Sequence, residues 1–331
     1  MWDVGWGHGT PRCSALARGQ RWLLSAWGVG VLGSVAWAMA GDGGAWAWGM
    51  VAWLVCAHPL ALGLELLCMA GVHGDDAAPR PTAAAMVRAW WMEWRRSLRV
   101  FAWQQPFRWR SWPDPTAARA GSRAVVLVHG FLCNRGFWLP WLRQLSARGV
   151  PYVTVNLEPV FGGIDAYVPQ VAAAVARAQA LTGGRPVWLV GHSMGGLAIR
   201  AWMAATPDAP RRVAHVVTIG SPHGGTWLAR WSLTRNGRQM RLGSAWLQAL
   251  VQAERALRPG DTYAGFTCWY GNCDNIVFPP ATATLPGADN RLVPGVPHVA
   301  LAFAPPVLAD LLARLEAAAG PGADGAIRPG P

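Results

Sequence analysis

Two long apolar stretches open the chain. Trp22–Ala40 runs 19 residues without a charge, and Ala45–Val72 runs 28 residues broken only by His58, Pro59 and Glu65. At about 1.5 Å of helical rise per residue, either one reaches across a hydrocarbon layer of about 30 Å, so the pattern predicts two membrane-spanning helices. Gly41-Asp42-Gly43-Gly44 between them is short enough to close a helical hairpin. A cleavable signal fits poorly, because the first stretch is too long and Trp-rich and no small-x-small site leads into a polar start. From Thr82 to Gln104 the period changes. Val87, Trp90, Trp91, Trp94, Leu98 and Phe101 recur at helical spacing, with Arg88, Glu93, Arg95, Arg96 and Arg99 on the other face. Such a helix either lies in the bilayer interface or packs on the domain that follows. Trp112-Pro113-Asp114-Pro115, within Ser111–Gly121, breaks any helix and reads as a linker.

Beyond the linker the pattern becomes regular. Apolar runs of β type at Ala124–Val128, Tyr152–Val155, Val187–Val190, Val213–Ile219 and Phe266–Tyr270 alternate with helical stretches at Phe137–Arg148, Asp165–Leu181, Leu197–Ala205 and Pro305–Ala319. Continuous apolar strands imply burial on both faces, and alternation with helices implies a mostly parallel sheet flanked by helices, an α/β fold. The expected organisation is a tail at 1–21, two transmembrane helices within 22–72, an amphipathic Trp/Arg-rich segment and linker at 73–122, an α/β domain at 123–319 and a disordered Gly/Pro-rich tail at 320–331.

Composition sharpens this. The 331 residues are 52% hydrophobic and only 14% charged, which excludes a disordered chain and favours membrane association. The net charge is +12, and every basic residue is Arg. Such charge suits anionic lipid headgroups; no nucleic-acid-binding motif accompanies it, so nucleic acid is not expected as a partner. Arg12, Arg18 and Arg21 precede the first apolar stretch, none lies in the hairpin loop, and Arg80, Arg88, Arg95, Arg96 and Arg99 follow the second. Both ends of the hairpin, and with them the large domain, are therefore expected on the cytoplasmic side of a membrane; if only one stretch spans, the domain lies on the other side. Glu65 is expected near the membrane edge or bonded within the helix pair rather than in an ion site. Six Cys are too few for a disulfide scaffold, although Cys268 and Cys273 flank one loop and are expected as thiols on the cytoplasmic side.

The strongest chemical signal is Val187-Trp188-Leu189-Val190-Gly191-His192-Ser193-Met194-Gly195-Gly196, a strand, a G-x-S-x-G turn and a helix in that order. A tight turn there strains Ser193, exposes its hydroxyl and sets it beside the positive end of a helix. Upstream, Val125-Val126-Leu127-Val128-His129-Gly130-Phe131 is an apolar strand ending in His-Gly. Acyl transfer needs two convergent donors for the developing oxyanion, and the backbone N–H groups of Phe131 and Met194 are the candidates.

With these motifs, and with Ser221-Pro222-His223-Gly224-Gly225-Thr226, residues 123–319 resemble the α/β-hydrolase superfamily, and within it bacterial triacylglycerol lipases and related esterases. The resemblance implies an α/β-hydrolase fold and the chain order nucleophile, acid, histidine. It assigns the acid to Asp274 in Gly271-Asn272-Cys273-Asp274-Asn275, with Asp289 and Asp261 as competitors, and the base to His298 in Val296-Pro297-His298-Val299, with His223 as rival. His192 is expected to pack beneath the turn and His215 in the sheet, while His8 and His73 fall in segments expected to be flexible. The insertion at about 225–264 carries an amphipathic stretch, Trp246, Leu247, Leu250, Val251 and Leu257, and is basic apart from Glu254; it forms either a cap over the site or ordinary surface helices. The implied activity is hydrolysis of carboxylic esters, acyl lipids above all, without metal or cofactor. Acyl transfer to an alcohol by the same triad, or a non-catalytic lipid-binding scaffold, are the alternatives.

Overall fold

The computed structural model describes residues 14–41, 43–119, 121–260 and 262–319. The expectations for the 320–331 tail, most of the N-terminal tail, Asp42, His8 and Asp261 fall outside the described residues.

The two apolar stretches form helices α1 (Ala15–Met39) and α2 (Gly44–Val72), which pack along each other. Ser14 caps α1 by accepting the Ala17 N–H at 3.1 Å, and Trp27 Nε1 donates across the pair to the Leu54 carbonyl at 2.9 Å. Away from the end of α2 much of their remaining surface is apolar and uncovered, with Trp22, Leu23, Leu32, Trp46 and Trp53 all exposed. Three helical stretches are long and apolar enough to cross a membrane: Ala15–Met39, Gly44–Val72 and His298–Ala318. The third has Val307 and Leu311 fully buried against the sheet and belongs to the α/β core; the first two have 0% and 11% of their most apolar window buried.

Helix α3 (Ala83–Ser97) runs on into a π-helical stretch, Leu98–Arg108. Its orientation differs from the one the apolar stripe suggests. Ala89, Glu93 and Ser97, spaced four apart, are buried, whereas Val87 and Trp91 are exposed. Of the expected polar face only Glu93 is buried; Arg88, Arg95 and Arg99 stay exposed, while Trp90 and Phe101 of the apolar stripe are half-buried against the cores. The linker is likewise pinned: buried Asp114 accepts from Arg135 at 3.0 Å and from the backbone and hydroxyl of Thr154 at 3.0 and 2.7 Å. His73, at the end of α2, is buried rather than in a loose segment.

The α/β domain follows as β1 (Val125–Val128), α4 (Leu139–Ala147), β2 (Tyr152–Thr154), α5 (Val168–Leu181), β3 (Val187–His192), α6 (Met194–Ala204), α7 (Ala209–Arg212), β4 (Val213–Ile219), α8 (Arg235–Gln239), α9 (Ala245–Leu257), β5 (Phe266–Gly271), β6 (Asp289–Val293), α10 (His298–Leu301) and α11 (Pro305–Ala319). All strand pairs are parallel, in the order β2-β1-β3-β4-β5-β6. Strand residues alternate between two cores. Val126, Val128 and Leu189 face α5, α6 and α9, while Val125, Leu127 and Val190 face α4 and α11. The chain starts in the sheet interior at β1, moves outward to β2, then crosses back to β3. The strand order therefore reverses between β1 and β3, where the connecting loops diverge and leave a crevice at the carboxyl ends of the strands.

The insertion is not a detached cap. Leu247 and Leu250 of α9 join the core on the side of α6, and Glu254, expected on a basic surface, is fully buried in an ion pair with Arg200 at 2.6 Å.

Candidate active site

Strand β3 delivers Ser193 to the crevice. Its φ of 54° and ψ of −128° lie in a region that a non-glycine residue occupies only under strain. The surroundings enforce the turn: the Ser193 N–H donates to the Ile219 carbonyl at 2.9 Å, and the Gly196 N–H donates to the Ser193 carbonyl at 3.1 Å. A Cβ at Gly195 would collide with the Val128 carbonyl and stand 2.7 Å from that of His129, so only glycine lets the head of α6 lie against the end of β1. This contact brings the Phe131 loop beside the serine. Among the described residues, no protein acceptor takes the N–H of Phe131 or Met194, so both donors remain available. Leu132, with φ 53°, turns the chain immediately after Phe131, and the Phe131 ring meets Phe161 edge-on at 5.9 Å.

Asp274 sits three residues past β5 and is buried. Its Oδ1 accepts the N–H groups of Ile276 and Val277 at 2.9 and 2.7 Å, which leaves Oδ2 facing Nδ1 of His298 at 2.9 Å. An ionised acid there requires the proton on Nδ1, so Nε2 is the free base. His298 opens α10 directly after Pro297, and its N–H donates to Asn275 Oδ1 at 3.3 Å. Asp274 and His298, the candidate acid and base, are thus adjacent. The Ser193 hydroxyl makes no hydrogen bond to His298 in this conformation; contacts of this kind tighten when substrate arrives. The link between them is His192, whose ring stacks on Phe137 at 4.4 Å, lies 4.7 Å from the His298 ring, and bonds the His298 carbonyl through Nε2 at 3.2 Å.

Electrostatics single out one imidazole. Burial pushes His129 down to about 4 and His192 and His223 well below the ordinary value, so all three stay neutral. Burial also opposes charge on His298, but Asp274 beside it, with Glu93 and Glu65 nearby, outweighs burial and raises its pKa. The rival His223 bonds Thr218 at 3.0 Å and Arg200 at 3.3 Å instead of a carboxylate. Asp289 pairs with Arg291 and Arg314 on the outer strand β6. His215 bonds Thr267 within the sheet at 2.9 Å. Cys268 and Cys273 are both buried free thiols.

Three residues of the site are invisible to motif reading. Asn275 joins the acid and histidine loops; Glu65 of α2 accepts from Asn275 Nδ2 at 2.7 Å; Glu93 of α3 accepts the N–H groups of Val299 and Ala300 at 2.8 and 3.1 Å. Glu65 therefore bonds the acid loop and not its helix partner. The available signal was compositional: Glu65 is the lone acid of its apolar stretch, and Glu93 is the lone acid between Asp76 and Asp114.

Comparison with known proteins agrees with this architecture. The sequence model of the alpha/beta hydrolase fold family matches residues 123–265. A triacylglycerol lipase of Burkholderia plantarii is 36% identical over 129 residues, covering 35% of each chain. One from Pseudarthrobacter phenanthrenivorans is 36% identical over 113 residues, covering 32% of this chain and 34% of that protein. The match thus spans about a third of the length of these curated relatives. The crystal structure of a mature Bacillus licheniformis lipase superposes with a TM-score of 0.50 at 19% identity, over 60% of this chain and 96% of that one. The protein has the α/β-hydrolase fold, and its hydrolase domain resembles bacterial triacylglycerol lipases.

Proposed function

We propose that the protein is a membrane-anchored serine hydrolase that cleaves carboxylic esters with apolar acyl groups, acyl lipids above all. The observation that carries this reading is the Asp274–His298 pair at 2.9 Å, beside a strained serine at the strand crevice. In the proposed reaction, His298 Nε2 takes the Ser193 proton as Oγ attacks the ester carbonyl. Asp274 holds the Nδ1–H tautomer and stabilises the imidazolium, and the N–H groups of Phe131 and Met194 receive the oxyanion. Collapse transfers the proton from His298 to the leaving alcohol. Water, deprotonated by the same Nε2, then releases the acid and regenerates Ser193.

Membrane attachment is supported by the uncovered apolar surface of α1 and α2 and by the position of their ends. Ser14 accepts from Asn134, the Ala15 N–H donates to Glu158 at 2.7 Å, and Leu66 and Met69 of α2 pack with Phe278. The start of α1 and the end of α2 therefore both rest on the hydrolase domain, and the connecting loop is the far tip. In this reading the tip crosses the bilayer and the domain stays on the side where the Arg residues gather, the cytoplasmic side. Acyl substrates are supported by the exposed Phe161 ring beside Phe131 and by the similarity to triacylglycerol lipases.

The test is fluorophosphonate labelling of detergent-solubilised wild type and Ser193→Ala, followed by hydrolysis of p-nitrophenyl esters of increasing acyl length. Wild type should label and turn over, with a preference for longer chains. Ser193→Ala should lose labelling and at least about 1,000-fold of kcat. Labelling that persists in Ser193→Ala, or a wild type that neither labels nor hydrolyses any ester while folded, overturns the reading.

A further inference from the structure

Helix α10 is a single turn, too short to hold its shape alone, and it carries the catalytic base of the proposed reaction at its first position. The first N–H groups of any helix lack partners within it and are ordinarily met by the side chain of the capping residue. Here the cap is Pro297, which has no side-chain acceptor. Glu93, 206 residues earlier in the sequence, fills the gap with one oxygen on each of the next two N–H groups, Val299 and Ala300. Only 1% of Glu93 is exposed. Among the described residues it forms no salt bridge, and its charge is met by the helix end, by His298 and by Arg96 of its own helix. A purely structural cap would need only a neutral acceptor, which costs far less to bury than a carboxylate.

Resting on the serine-hydrolase reading, we propose that Glu93 is a positioning residue: its carboxylate clamps the Val299 and Ala300 N–H groups, fixes the turn that aims His298, and favours the imidazolium formed during acyl transfer. The helix before the hydrolase domain thereby becomes part of the catalytic centre. A second contact from the same N-terminal region also reaches His298, because Glu65 holds Asn275, whose Oδ1 in turn accepts the His298 N–H.

The charges that face Glu93 are His298 and Asp274 from the catalytic loops and Arg96 from its own helix. Glu65 and His58 stand on α2, the latter bonded to Ser97 one turn from Glu93. Burial raises the Glu93 carboxyl to about 7, while the two N–H bonds and His298 pull it down. Its ionised form acts with Asp274 to raise His298, so removing the charge is expected to lower the pKa of the base.

The experiment compares full-length wild type, Ser193→Ala, Glu93→Gln and Glu93→Asp in detergent. It measures kcat, KM and fluorophosphonate labelling rate from about pH 5 to about pH 9, with thermal melts to establish folding. Gln keeps the size and loses the charge; Asp keeps the charge and loses the reach. The proposal expects kcat to fall about 10- to 100-fold in both variants, with KM within about twofold of wild type. The acid limb of kcat/KM should move to lower pH in Glu93→Gln alone. Variants that fold and keep the wild-type kcat and acid limb overturn the proposal while leaving the hydrolase reading intact. If Glu93→Gln does not fold, Glu93→Asp decides by the same kcat and KM criterion. A wild type without Ser193-dependent turnover overturns both.

Discussion

At the scale of the residue, the site depends on how burial is divided among chemically identical groups. Four histidines lie around the serine turn and its supporting loops, and three of them, His129, His192 and His223, are held neutral by burial without a carboxylate partner. Only His298 meets carboxylates, and its pKa rises. A base works in its neutral form, which disappears as pH falls through its pKa. The acid limb of kcat/KM for wild type is therefore expected above the ordinary histidine value of about 6.5, read from a pH–rate profile. A limb at or below that value would mean that Asp274 and the two glutamates do not act on His298 as the geometry requires. Ser193, Asp274 and His298 were legible in the sequence because each stands within a few residues of an apolar strand run or in a fixed chain order. Glu93 was not legible. In a segment of Trp and Arg, a lone carboxylate reads as part of the wetted face, and only a partner 206 residues away reveals that it is buried.

At the scale of the element, strands and helices with strong periodicity came through from the sequence almost unchanged, while those stabilised by unusual partners did not. β6 does not stand out among the apolar runs because Asp289–Val293 is a partly exposed edge strand with three polar residues, so it lacks the apolar run that marks its neighbours. Helix α3 docks along Ala89, Glu93 and Ser97, a narrow stripe that lets the helix approach closely, with Trp90 of the apolar stripe packed at its side and Val87 and Trp91 left exposed. Helix α9 shows how one buried pair fixes an amphipathic helix. Its Glu254 binds Arg200 of α6 through two contacts, and the Tyr263 hydroxyl donates to the same carboxylate at 2.6 Å. Glu254→Gln leaves the buried guanidinium without its counter-charge and should cost about 3–5 kcal/mol. In detergent this corresponds to a melting temperature lower by roughly 6–20 °C. The double change Arg200→Met, Glu254→Leu should recover much of that loss, and failure to do so would show that the pair does more than neutralise itself.

At the scale of the whole molecule, the N-terminal helices and the hydrolase domain share one interior. The end of α2 meets Phe278 and Cys273 beside the acid loop, and α3 meets α10 beneath the base. The proposed membrane span predicts that alkaline carbonate leaves the protein in the membrane pellet and that detergent releases it; release by carbonate would mean that the hairpin only adheres to a surface.

The two resting points of the hairpin have a further consequence. A domain hung from one flexible strand samples many heights and tilts above a surface, whereas attachment at both Ala15 and Leu66 removes most of that freedom. Held this way in a bilayer, the serine would travel in a plane at constant depth, and encounter would become a two-dimensional search. Turnover would then follow the surface density of ester groups that reach that depth and be indifferent to their bulk concentration.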